Sequence, residues 1–279
     1  MLKITGVSFP GLGIDEFEVN SVAFKLFGKE IAWYALIITF GMICAVAYTM
    51  MRAKKIGITW EDIIDYVLFT IPIGVIGARL YYVLTKLESF DTFMEVIAIW
   101  EGGLAIYGGI IAGTITVFVV SKVKKIYFPA FADCVVPGLI LAQAIGRWGN
   151  FMNGEAHGGI TDTFIRMGLD HGFGMKYYHP TFLYESLWNL VGFVLINIFY
   201  KHKKYDGQIL LLVFGWYGLG RMLIEGLRTD SLYTEIFGLS FRTSQVLAGA
   251  ILIACTVLLI YFTIKPPKKQ FYIKKTKES

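Results

Sequence analysis

Seven long apolar stretches, each carrying few charges, divide this 279-residue chain. Each is too long for a strand, and a bilayer core takes about 20 apolar residues per helix. The pattern predicts an all-α membrane protein, a bundle of seven transmembrane helices over residues 31–51, 62–84, 103–121, 130–145, 182–199, 207–227 and 243–264. The fourth is short and carries Asp133, Pro137 and Gln143. It is required nonetheless, because omitting it puts the later basic loops on the wrong side of the membrane. Residues 1–30 lack the basic start and apolar core of a signal peptide, and are expected to form an ordered extracytoplasmic arm. Residues 265–279 read as a basic cytoplasmic tail behind the span region 31–264.

Composition agrees with the pattern. Only 17% of residues are charged, against about 25% in soluble domains, which excludes a soluble enzyme. Cys44, Cys134 and Cys255 all fall inside spans, so neither a disulfide framework nor a thiolate metal site is expected, and packing is their role. Gly102, Gly103, Gly108, Gly109 and Gly113 cluster around the third span, as in helices that pack closely through small residues. The four histidines, His157, His171, His179 and His202, have no metal-ligand spacing, and hydrogen bonding is expected of them. Neither cofactor nor metal is implied.

Charge gives the orientation. One set of alternate loops holds 15 of the 26 basic residues, and the other holds 9 together with most of the acids. The richer set faces the cytoplasm, so the N-terminus is expected outside and the C-terminus inside. The net charge of +5 is therefore a topology signal and not a nucleic-acid footprint. Of 19 lysines, 14 lie in the inner loops, whereas of 7 arginines only Arg52 does. Planar guanidinium suits bidentate capture of phosphate or carboxylate. The skew points either to an anion site at the outer leaflet or to simple pairing with the outer acids.

Polar residues within the spans converge on the outer face. Trp33 and Tyr34 open the first span, and Arg79 ends the second. Tyr217, Arg221, Glu225 and Arg228 are spaced 4, 4 and 3, which places them on one helix face. They form either a binding stripe or an internal network pairing Glu225 with both arginines. The ten residues Gly146-Arg147-Trp148-Gly149-Asn150-Phe151-Met152-Asn153-Gly154-Glu155 follow the fourth span. Their glycines are expected to interrupt the helix and let backbone amides approach a ligand, unless the segment is only a capped turn.

That string, with Gly158 after it, resembles the signature of bacterial prolipoprotein diacylglyceryl transferases. Further similarity covers nearly all of residues 20–265: the Trp33-Tyr34 pair, Glu101 through Gly109, His179-Pro180-Thr181 with Tyr184-Glu185, and Tyr217 through Arg228. The resemblance implies an enzyme of the bacterial cytoplasmic membrane with its site toward the outer leaflet. It would move the diacylglyceryl group of phosphatidylglycerol onto the lipobox cysteine of a preprolipoprotein and release glycerol phosphate. Its partners are then phosphatidylglycerol, the preprolipoprotein signal peptide and the lipid bilayer, with no nucleic acid. Arg147 and Arg221 become candidates for stabilising charge on the leaving phosphate. Asn150 and Asn153 would orient the head group and Glu225 would hold Arg221, while Tyr34, Glu155, Gly158, Tyr217 and Arg228 complete the substrate-binding set. Many members of that family have a histidine, proposed as the thiol's base, where this chain has Tyr107. A phenol ordinarily titrates near 10, so Tyr107 is a catalytic candidate either as base or, more in keeping with that chemistry, as a hydrogen-bond donor.

The sequence speaks against two other classes. An anion transporter would show an internal repeat and helices broken near the midplane, and neither is present. A retinal-type receptor needs a lysine in the last span, and 243–264 contains none.

Overall fold

The computed structural model describes residues 6–170, 172, 174–229, 233–236, 239–267 and 271–274. His171 and parts of the arm and tail lie outside the described residues. Eight helices occur among them: α1 (Trp33–Ala53), α2 (Trp60–Thr85), α3 (Phe93–Ile97), α4 (Ile106–Val123), α5 (Phe128–Asn153), α6 (Thr181–Phe199), α7 (Gln208–Ile224) and α8 (Thr243–Ile264). All except α3 are long and apolar enough to cross a membrane. Their outer faces are apolar as well. Ile110, Ile115 and Val119 on α4 and Ile253, Val257 and Ile260 on α8 are all exposed, a surface suited to lipid rather than water.

The chain divides into two compact units, Met1–Tyr48 with Val135–Gln270, and Thr49–Cys134 with Phe271–Ser279. In the first unit, α1 and α5 meet along small residues. A side chain at Gly138 would come within 2.8 Å of the Ala45 carbonyl, one at Gly41 within 3.2 Å of the Ala142 carbonyl, and one at Gly149 within 2.9 Å of Tyr34 Cδ2. Such contact lets membrane helices associate by close packing, since lipid offers no hydrophobic drive. The same unit holds a four-stranded sheet, with order β2 (Ile14–Phe17), β1 (Gly6–Phe9), β5 (Met167–Asp170), β6 (Met175–Tyr178). It joins the arm to the segment after α5. Val7, Phe9, Met167 and Leu169 pack with Phe182 at the start of α6, so the sheet fixes the end of the helix that carries the site described below. Hairpins β3 (Val22–Leu26) with β4 (Lys29–Ala32) and β7 (Tyr233–Ile236) with β8 (Leu239–Arg242) lead into α1 and α8.

In the second unit, α2 packs on α4 through Gly74, Gly77, Gly108 and Gly109. A Cβ at Gly108 would collide with the Gly77 carbonyl and with Tyr81. Gly108→Val is therefore expected to cost about 3 kcal/mol or to prevent folding, read as a lowered melting temperature in detergent. Thr59 begins α2 with a capping box, its Oγ1 accepting from Asp62 N at 3.4 Å and Asp62 Oδ2 accepting from Thr59 N at 3.1 Å.

The fourth span differs most from the sequence expectation of 130–145. Helix α5 continues to Asn153, so the Arg147 segment is its last two turns and not a loop. Gly146 and Gly149 do not break it. They give room to Ile38 and Tyr34 of α1, and helix continuity occupies the backbone amides that had been expected to face a ligand. Gly154, at φ +63, ends the helix, where the left-handed conformation favours glycine.

Candidate active site

One carboxylate organises the polar residues of the first unit. Glu185, on the second turn of α6, is 5% exposed. Arg147 of α5 pairs with it through Nη2, Arg221 of α7 donates to it at 3.2 Å, and Arg228 beyond α7 donates to it at 3.3 Å. Arg221 also pairs with Glu225 at 2.7 Å, and Glu225 is 1% exposed. Burying this many charges is tolerable only when each is paired. A guanidinium carries five N–H donors, more than a shared carboxylate can accept from each of three arginines.

A second layer fixes Arg147. Its Nη1 donates to Asn150 Oδ1 at 3.4 Å, Asn150 Nδ2 donates to Glu155 at 2.9 Å, and Asn153 Nδ2 donates to the same oxygen at 3.3 Å. Both asparagines thus hold Glu155, where the sequence suggested head-group donors. Gly158 is held by backbone pairing. Its N–H bonds to the His179 carbonyl at 2.9 Å, it forms a β-bridge with Arg228, and a Cβ there would lie 2.8 Å from the Leu227 carbonyl. It seats the backbone of Arg228. That backbone is not helical, since α7 ends at Ile224 and Arg228 is extended at φ −79, ψ 148. Tyr217 lies one turn before Arg221 on α7, and Tyr34 packs beside Gly149.

Three other arginines serve carbonyls. Arg79, in the second unit, donates to Val96, Gly102 and Gly103 carbonyls at 2.9, 2.6 and 3.1 Å and also to that of Glu95. It ties down the segment between α2 and α4. Arg166 donates to Asp162 O at 3.2 Å, and Arg242 donates to the Glu225 carbonyl. The arginine skew thus has two origins, with Arg147, Arg221 and Arg228 forming the group that pairs with Glu185.

A family profile described as prolipoprotein diacylglyceryl transferase matches residues 21–261. The chain belongs to that family. It is 43% identical over 265 residues to phosphatidylglycerol--prolipoprotein diacylglyceryl transferase 1 of Clostridium perfringens, covering 91% of this chain and 100% of the relative. It is 42% identical over 248 residues to the correspondingly named protein of Clostridioides difficile, without the numeral, covering 88% and 97%. A relative of that name in Enterococcus faecalis is 39% identical over 274 residues, covering 94% and 97%.

Tyr107 belongs to the second unit and Arg147, Arg221 and Arg228 to the first. It lies on the first turn of α4 in the second unit, 39% exposed, with its ring 6.5 Å from that of Tyr81. From the sequence, Glu185 stands only within a matching segment and is not placed in the site. It was legible as the one carboxylate inside the apolar run 182–199, and an ionisable residue in a span is a functional candidate by default.

Proposed function

We propose that this membrane protein transfers the diacylglyceryl group of phosphatidylglycerol to the lipobox cysteine thiol of preprolipoproteins, with its site toward the outer leaflet of the bacterial cytoplasmic membrane. The observation that carries the reading is the convergence of Arg147, Arg221 and Arg228 on Glu185, a buried carboxylate in a spanning helix. The cysteine sulfur forms a bond to the glyceryl carbon, the carbon–oxygen bond to phosphate breaks, and the electron pair leaves with glycerol phosphate while the thiol proton goes to solvent or a base. Negative charge grows on the phosphate oxygens, where preorganised donors count most. A free thiol, ordinarily titrating near 8.5, is a few per cent ionised at neutral pH, so the anion-stabilising arginines carry the larger share of the task. The test is purified protein supplied with phosphatidylglycerol and a lipobox peptide. Release of glycerol phosphate with lipidation of the cysteine supports the reading, and their absence rejects it.

Orientation follows from the loop charges: residues 1–30 as an extracytoplasmic arm and 265–279 as a cytoplasmic tail. Labelling of cysteines placed at Lys124 and Lys203 should succeed only from the cytoplasmic side, and at Lys176 only from outside. The reverse result would move the site to the inner leaflet.

Tyr107 acts in this scheme by donating a hydrogen bond to phosphate or thiolate. Tyr107→Phe should then retain partial activity, with a pH–rate profile parallel to the parent's. A variant inactive at neutral pH but restored at alkaline pH would make Tyr107 the base.

A further inference from the structure

Beside the arginine cluster, the first unit contains a cavity of about 460 Å³ between α1, α5 and α6. Its origin lies in the α1–α5 contact. Gly41 and Gly138 bring the two backbones together, and beside that stripe Trp33 and Phe40 on α1 and Leu141 and Trp148 on α5 line the cleft. Leu190 of α6 closes its side. From Trp33 to Phe40, and from Trp148 back to Leu141, is seven residues of helix, about 10 Å at about 1.5 Å per residue.

One end of the cleft meets the charged site directly in the chain. Trp148 follows Arg147, and Ser186, also in the lining, follows Glu185. The polar atoms there are already engaged: Trp148 Nε1 donates to Ser186 Oγ at 3.2 Å, and Ser186 Oγ donates to the Ala144 carbonyl at 2.8 Å. The cleft therefore offers nothing to a polar ligand. Its exposed aromatic rim, with Trp33 at 42% and Trp148 at 45% exposed, lies in spanning helices. A ligand suited to both parts has an anionic group at the arginines and an apolar chain running from it.

We propose that this cleft holds one acyl chain of the lipid donor and thereby sets which chains are accepted and where the glyceryl carbon sits relative to Arg147. The proposal rests on the transferase reading above and adds the subsite. A chain moving from bilayer to cleft exchanges one apolar medium for another, so discrimination comes from fit and van der Waals contact rather than from the hydrophobic effect. Chain selectivity should therefore respond to changes in the width of the cleft.

Leu190 is the position to alter, because it is 45% exposed and both larger and smaller side chains fit there without disturbing the core. Initial rates are measured for the parent, Leu190→Trp and Leu190→Ala with dipalmitoyl and with dioctanoyl phosphatidylglycerol. The tryptophan is expected to lower the dipalmitoyl-to-dioctanoyl ratio of kcat/KM about tenfold or more, and the alanine to leave it unchanged or raise it. In parallel, phosphatidylglycerol with a diazirine in one acyl chain is photolysed with the parent protein, and crosslinks are expected between residues 36 and 40 or 141 and 148. An unchanged ratio in Leu190→Trp, or crosslinks confined to other helices, overturns the subsite. A parent that transfers neither lipid overturns the transferase reading instead, and the crosslinking result then judges the cleft by itself.

Discussion

Alanine at Arg147 or at Arg221 is expected to lower kcat by about 100-fold or more, with the protein still inserted and folded. Each substitution removes donors from a charge that grows only as the carbon–oxygen bond breaks, and loss of one preorganised donor of this kind costs roughly 3 kcal/mol. The two positions differ in what they leave behind. Arg221 bridges Glu185 and Glu225, so its removal exposes two buried carboxylates to each other's repulsion. Arg147 reaches Glu185 and Asn150, and its loss frees the asparagine and glutamate layer behind it. Lysine at either place should also be poor, because an ammonium cannot span two acceptors in the plane that a guanidinium does. Initial rates at saturating lipid and peptide check this. Near-normal rates in both lysine variants would mean that bulk positive charge suffices.

How far the sequence could be read follows from the range of the forces involved. The seven spans were legible because lipid imposes one requirement on every residue of a run, and that requirement is local. The strands were not. Each is only four or five residues long, and β1 pairs with β5 across about 160 positions of chain, so their register depends on partners no local window contains. The last turns of α5 were read as a loop because glycine and asparagine disfavour helix in water. Here Gly146 and Gly149 are selected by the approach of Ile38 and Tyr34, a tertiary demand that overrides propensity. Arginine chemistry was legible only in aggregate. Charge and position in the chain are the same kind of signal for Arg79, which ends among backbone carbonyls, as for Arg147, which ends on a carboxylate. Glu225 was recognised as the partner of Arg221 from their four-residue spacing, whereas Glu185 makes its contacts with three arginines from other helices or loops, which spacing along one helix cannot reveal.

Glu185→Gln should be the substitution most damaging to the site's architecture. It keeps the shape of the side chain but leaves Arg147, Arg221 and Arg228 near one another without the carboxylate they share. Removing one member of a buried ionic cluster costs about 3–5 kcal/mol, because the remaining charges stay desolvated and lose their partner. A lowered melting temperature in detergent is the first readout. The second separates a structural role from a functional one. With the internal anion gone, an external one should bind better, so phosphatidylglycerol ought to raise the variant's melting temperature more than the parent's through preferential binding to the folded state. In turnover, KM for the lipid should fall while kcat falls further, since the arginines would then hold the ground-state phosphate as tightly as the developing charge. Glu225→Gln provides the contrast. Its carbonyl would still receive Arg242, Arg221 would still reach Glu185, and its stability loss should be smaller. Equal melting temperatures for Glu185→Gln and the parent, with KM unchanged, would show that Glu185 does not balance the three arginines.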